Sequence, residues 1–123
     1  MNVLIVDDSE AIATVIQQLL ENENYHTMTA RDGEDGYLAY LDFKPDLVIT
    51  DIEMPRKNGF ELMKNIRTHD PSIKTIYMSG YMGRFRSLFE EEKTKYHAAF
   101  LEKPFSIIEL IGLLSDDQDN CPH

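Results

Sequence analysis

"VLIVDDSE", residues 3–10, runs four apolar residues straight into Asp7 and Asp8. An unbroken apolar run marks a strand buried on both faces, as in a parallel sheet. The two acids at its end are the puzzle. Adjacent carboxylates repel, and an unpaired buried one is costly enough to shift its pKa until it neutralises. Such a pair either belongs to a solvated turn in which Ser9 or Asp8 caps the next helix, or it faces something that offsets its charge.

The pattern recurs along the chain. "LVI" (47–49), "TIYM" (75–78) and "AAFL" (98–101) are further apolar runs, and "YHTMTA" (25–30) is a weaker, partly polar one suited to a strand nearer the sheet edge. Helical patterns lie between them. Ile12, Val15, Ile16, Leu19 and Leu20 follow the i, i+3, i+4, i+7, i+8 spacing of one apolar stripe. Segments 34–43, 60–68, 84–95 and 107–115 are likewise helical. Phe85, Leu88 and Phe89 are the expected inward face of the fourth, and Ser106 with Glu109 forms a capping box for the fifth. Strand then helix, five times over, implies right-handed crossovers and a doubly wound, flavodoxin-like (βα)5 sheet of order 2-1-3-4-5. Strands 1 and 3 are then neighbours at the topological switch point, where ligands bind outside the carboxyl ends of the strands.

Composition limits the functions open to this fold. A chain of 123 residues is one domain by default, and 28% charged with 42% hydrophobic residues is ordinary globular composition. With 22 acidic against 12 basic residues the formal charge is −10, which repels a phosphate backbone and argues against direct nucleic-acid binding. Cys121 is the single cysteine, so an internal disulfide and a Cys-rich zinc site are both excluded. No basic, export-type N-terminus precedes the first strand, and no apolar run reaches the roughly 18 residues of a bilayer span. A cytoplasmic protein without membrane contact is expected, with a domain over 1–115 and an acidic tail or linker start over 116–123. Met1, directly before the first strand, is the expected native N-terminus.

"LVITDIEMP" ends the third strand as the first ends, with Asp51 after an apolar run. In the order above, Asp7, Asp8 and Asp51 meet in one crevice. Three carboxylates this close cannot all remain ionised without a cation, and an all-oxygen set that leaves waters in place suits Mg²⁺, with Mn²⁺ an admissible substitute. The fourth strand ends at Ser79 in "MSG" and the fifth at Lys103 in "LEKP", over the same edge. A hydroxyl, an ammonium and a divalent cation around one aspartate suit a tetrahedral anion, and an aspartyl phosphate is the natural candidate.

Four motifs, "VDD", "TDIEMP" with a downstream "NG", "SGY" and "EKPF", stand in order at strand ends. In them the chain resembles a response-regulator receiver domain of two-component signalling, over residues 2 to about 115. The resemblance implies that Asp51 is the phosphoacceptor. Asp7, Asp8, Asp51 and the backbone carbonyl of Glu53 would bind Mg²⁺. Lys103 would pair with the phosphoryl group, Ser79 would be the switch hydroxyl, and Phe100 matches the aromatic position that reorients with it. The Lys103-Pro104 bond is commonly cis in such proteins. A histidine kinase or histidine phosphotransfer protein would be the donor and an unspecified protein the target, with Mg²⁺-dependent self-phosphorylation from phosphodonors and slow self-dephosphorylation as the only enzymatic activity.

Some positions depart from the family's usual pattern. Glu53 adds a fourth acid beside the metal, and Tyr81 flanks the acceptor's approach on the other side, so both are placed to set phosphoryl lifetime. "EEEKTKYHAAF" (90–100) lacks the Gly-Ala turn usual before the fifth strand, which bears on the dimer face the family commonly builds from helix 4, strand 5 and helix 5. The fifth helix crowds six apolar residues into 107–114, which fits either a partner surface or deep burial. Other classes share the architecture. An aspartate-nucleophile phosphatase of haloacid-dehalogenase type needs D-x-D after the first strand and usually a cap domain. A flavodoxin-like cofactor binder needs a glycine- and hydroxyl-rich phosphate loop where this chain has "DDSE". A receiver-like scaffold that is never phosphorylated would not need the acceptor-site residues present here.

Overall fold

Each apolar run becomes a strand and each periodic segment a helix. The order is β1 (Asn2–Val6), α1 (Glu10–Asn22), β2 (His26–Ala30), α2 (Gly33–Phe43), β3 (Leu47–Asp51), α3 (Gly59–Arg67), β4 (Lys74–Ser79), α4 (Met82–Lys95), β5 (Ala98–Glu102) and α5 (Ile107–Asp119). This computed structural model describes residues 1–54, 57–103 and 105–119. The expected cis bond before Pro104, Pro55 and Cys121 lie outside the described residues. The five strands are parallel in the order β2-β1-β3-β4-β5, which puts β1 beside β3 as the alternation requires. The partly polar β2 is an edge strand and only Ala30 of it is buried, whereas Leu47–Asp51 of β3 is buried throughout.

Side-chain alternation along the central strands builds two cores. Val3, Ile5, Leu47 and Ile49 point to the face covered by α1 and α5, where they meet Ile16, Leu20, Leu110 and Leu114. Leu4, Val6, Val48 and Tyr77 point to the opposite face and pack on Leu62, Met63, Ile66 and Phe89. Full burial of each such aliphatic side chain contributes roughly 1.5–3 kcal/mol. The resulting rigidity keeps the strand ends in place.

Three helical faces differ from expectation. On α1 the inward residues are Ala13, Ile16 and Leu20, while Val15 is 54% exposed. With Ala13 turned to the sheet, Val15, two positions on, falls on the outer side of the helix. On α4, Phe89 is buried and Phe85 partly so, but Leu88 is half exposed, because this helix touches the sheet along a narrow strip. On α5, Leu110 and Leu114 are core while Ile108 is largely exposed, so burial and exposure alternate within one stripe. The helix also runs on to Asp119, four residues into the segment expected as a tail. Among the described residues no helix is long and apolar enough to cross a membrane.

Candidate functional site

At the carboxyl edge of the sheet the hydrogen-bond ladder continues one residue past several strands. Asp7 N–H donates to the Ala30 carbonyl (3.1 Å), Ile52 N–H to the Met78 carbonyl (2.9 Å) and Lys103 N–H to the Ser79 carbonyl (2.8 Å). The acidic and basic side chains therefore project from backbone that is already fixed.

Asp7, Asp8 and Asp51 converge as the strand order implies. Each offers a carboxylate oxygen, and the three atoms lie within 4.8 Å of one another. Asp7 and Asp51 are buried and Asp8 is exposed, so the cluster opens to solvent on the Asp8 side. Lys103 Nζ reaches between the two buried acids, donating to Asp7 Oδ2 at 3.1 Å and to Asp51 Oδ2 at 3.3 Å. Asp7 also accepts from the Ser9 N–H (2.9 Å), and the Ser9 hydroxyl caps α1 by accepting from Ile12 N–H. Ser9, rather than Asp8, is thus the cap, which leaves Asp8 to the cluster.

The electrostatics record an excess of negative charge. Burial raises the Asp51 carboxyl to about 6; Lys103 opposes the shift, while Asp7 and then Asp8 add to it. Burial acts to lower the Lys103 ammonium, yet Asp51 and Asp7 outweigh it and hold the pKa above its ordinary value. Both shifts favour the protonated form. Three acids and one base leave a surplus that a divalent cation neutralises, and the donors present are all oxygens, the set a hard cation prefers.

Ser79 is buried at the end of β4, and its Oγ accepts from the Tyr81 N–H at 2.9 Å, which leaves its own proton free to be given to another acceptor. Tyr81 is the N-cap residue of α4, and its side chain is 67% exposed. Phe100 is half-buried on the edge strand β5, edge-on to Phe89 at 5.3 Å between ring centroids. Glu53 lies in the loop after β3, and its carboxylate meets Arg84 of α4 at 3.6 Å.

Gly59 has a role the sequence did not disclose beyond a turn. A Cβ there would stand 2.5 Å from the Asp51 carbonyl oxygen, so α3 can begin against the end of β3 only with glycine at this position. Asn58 and Glu61 close a reciprocal capping box around that start. Arg84 carries no local sequence signal, because nothing in a helical segment tells which arginine faces a loop elsewhere in the chain.

Comparison with known proteins agrees with this geometry. The family described as "Response regulator receiver domain" matches residues 3–115. Response regulator RR06 of Streptococcus pneumoniae is 33% identical over 112 residues, covering 90% of this chain and 50% of that protein. Sporulation initiation phosphotransferase F of Bacillus subtilis is 31% identical over 108 residues, covering 88% of this chain and 86% of the relative. Relatives thus include proteins of about this length and others twice as long. The solved structure of chemotaxis protein CheY4 of Vibrio cholerae superposes with a TM-score of 0.84 at 26% identity, covering 94% and 96% of the two chains.

Proposed function

We propose, from the premise that this chain belongs to the response-regulator receiver-domain family, that it accepts a phosphoryl group on Asp51 and changes partner binding as a result. The donor is a histidine kinase or a histidine phosphotransfer protein. The observation that carries the reading is the Lys103 ammonium held between Asp7 and Asp51, which with Asp8 bring three carboxylate oxygens within 4.8 Å of one another.

In this reading an Asp51 oxygen attacks phosphorus in line; the O–P bond forms as the P–N bond of phosphohistidine breaks, and the electron pair leaves on the imidazole nitrogen. The receiver supplies position and charge rather than covalent chemistry of its own. Lys103 pairs with the negative charge of the transferred group, and Ser79 gives its hydroxyl proton to a phosphoryl oxygen. Phe100 responds to the movement of Ser79. Asp7, Asp8, Asp51 and the Glu53 backbone carbonyl would hold Mg²⁺, or Mn²⁺ in its place. A bound divalent cation supplies charge neutralisation between the carboxylates and the phosphoryl oxygens.

An apolar groove runs from this site along α1, bordered by Ile12, Val15, Leu19, Phe105 and Lys103. The groove shares Lys103 with the site, and in this reading it seats the donor protein. The experiment is intact-mass analysis after Mg²⁺ with acetyl phosphate or beryllofluoride. One acid-labile phosphoryl group, or one beryllofluoride adduct, is expected on wild type and none on Asp51→Asn. Equal modification of the two proteins overturns the assignment.

A further inference from the structure

Beside the carboxylate cluster, on the side where Asp8 opens to solvent, lies a cleft of about 470 Å³. Its walls include Asp8, Ile52, Glu53, Asn58, Arg84 and Phe85. Two of these are acids and one is a base. Lys103, the other cation at the site among the described residues, is already committed to Asp7 and Asp51. Arg84 Nη1 stands 3.6 Å from Glu53 Oε2, with the arginine 68% and the glutamate 43% exposed.

The two ends of this pair are anchored where they matter. Glu53 is two residues past Asp51, and Arg84 lies in the first turn of α4, five residues past Ser79. We propose that Arg84 is a positioning residue for the acceptor site: by pairing with Glu53 it cancels the fourth carboxylate at the mouth of the cleft and keeps that mouth open to anionic phosphodonors. The inference rests on the phosphoacceptor reading and extends it to a residue acting through Glu53.

Two consequences follow from the charges. Among the described residues the charged groups of the cleft wall, Asp8, Glu53 and Arg84, sum to one negative charge; without Arg84 they sum to two. A dianionic acyl phosphate then meets more repulsion on its way to Asp51, whereas a cation is attracted more strongly. The transfer itself is unchanged: the Asp51 O–P bond forms, the P–O bond to the acyl group breaks, and acetate leaves. Because the pair is solvent-exposed, its influence is modest and is screened by salt.

The test is a double-mutant cycle on the full chain with Arg84→Ala, Glu53→Gln and the double variant, and Arg84→Lys as the conservative control. At low ionic strength Arg84→Ala is expected to accept phosphoryl from acetyl phosphate about two- to five-fold more slowly than wild type, and to show a Mg²⁺ midpoint in thermal melts about two- to five-fold lower. Arg84→Lys should stay near wild type. Adding Glu53→Gln to Arg84→Ala should restore both quantities, and roughly 0.5 M salt should erase the differences. Arg84→Ala matching wild type in both readouts overturns the proposal, and so does a defect that persists in the double variant. If wild type itself takes no modification on Asp51, the phosphoacceptor reading fails instead, and the Mg²⁺ midpoints still decide whether Arg84 acts through Glu53.

Discussion

Asp51 and Arg67 are equally buried, each 7% exposed, yet their charges are handled in opposite ways. Arg67, at the end of α3, donates to Tyr77 Oη (3.3 Å) and Thr75 Oγ1 (3.2 Å) and forms an ion pair with Glu92 of α4. Its guanidinium also lies 3.8 Å from the centre of the Tyr96 ring, and although Nε has no hydrogen-bond partner among the described residues, the group is enclosed by aromatic and polar contacts. One base meets one acid. Around Asp51 three acids face one lysine, which pairs with the two buried ones, and the third opens to solvent. Matched charge ties α3, β4 and α4 together; unmatched charge is held in place by the rest of the fold and leaves a surplus compatible with a divalent cation.

The largest effect should come from breaking the matched cluster. Glu92→Ala leaves the Arg67 guanidinium buried without its counter-ion, and loss of one partner of such a pair costs about 3 kcal/mol. Urea denaturation should show a fall of that size, with Mg²⁺-dependent stabilisation retained. A loss under about 1 kcal/mol would remove the distinction drawn between the clusters.

In the unmatched cluster the sign reverses. With the folded carboxyl of Asp51 raised to about 6, above its unfolded range, its contribution to stability is present below about pH 4 and lost as pH rises through about 6. Metal-free wild type should therefore lose stability relative to Asp51→Asn across that window, by up to roughly 3 kcal/mol, and Mg²⁺ should oppose the loss. Parallel stability curves for the two proteins between pH 4 and 7 would contradict the charge excess.

Asp8 is the exposed member, so its repulsion is better screened. Asp8→Asn should raise the metal-free melting temperature modestly, by the equivalent of about 1 kcal/mol or less, while losing the Mg²⁺ response. A drop in the metal-free melting temperature would argue against crowding.

The smallest effect is kinetic. If the Tyr81 ring shields Asp51 from in-line attack by water, Tyr81→Ala should shed its phosphoryl group about two- to three-fold faster, a change worth less than 1 kcal/mol. An equal or slower rate would leave Tyr81 as an exposed aromatic at the start of α4.

By itself the sequence determined the strands, their order and the residues at their ends. Unbroken apolar runs, helical periodicity and strand-terminal acids are local patterns, and strict alternation of strand and helix leaves few ways to wind a parallel sheet. That is why the sequence alone places Asp7, Asp8, Asp51, Ser79 and Lys103 on one edge. The Arg67 cluster draws on α3, β4, α4 and the turn after α4. Its one local trace is the pair of hydroxyls, Thr75 and Tyr77, inside a strand otherwise built for burial, since a buried hydroxyl needs a partner. Only the tertiary structure decided who that partner is. It also decided that Val15, Leu88 and Ile108 face outward, that Gly59 must lack a side chain and that Arg84 meets Glu53. Each of these depends on how a helix is rotated and how closely it approaches elements distant in sequence, and a periodic pattern specifies an apolar stripe without fixing where along that stripe the neighbour lies.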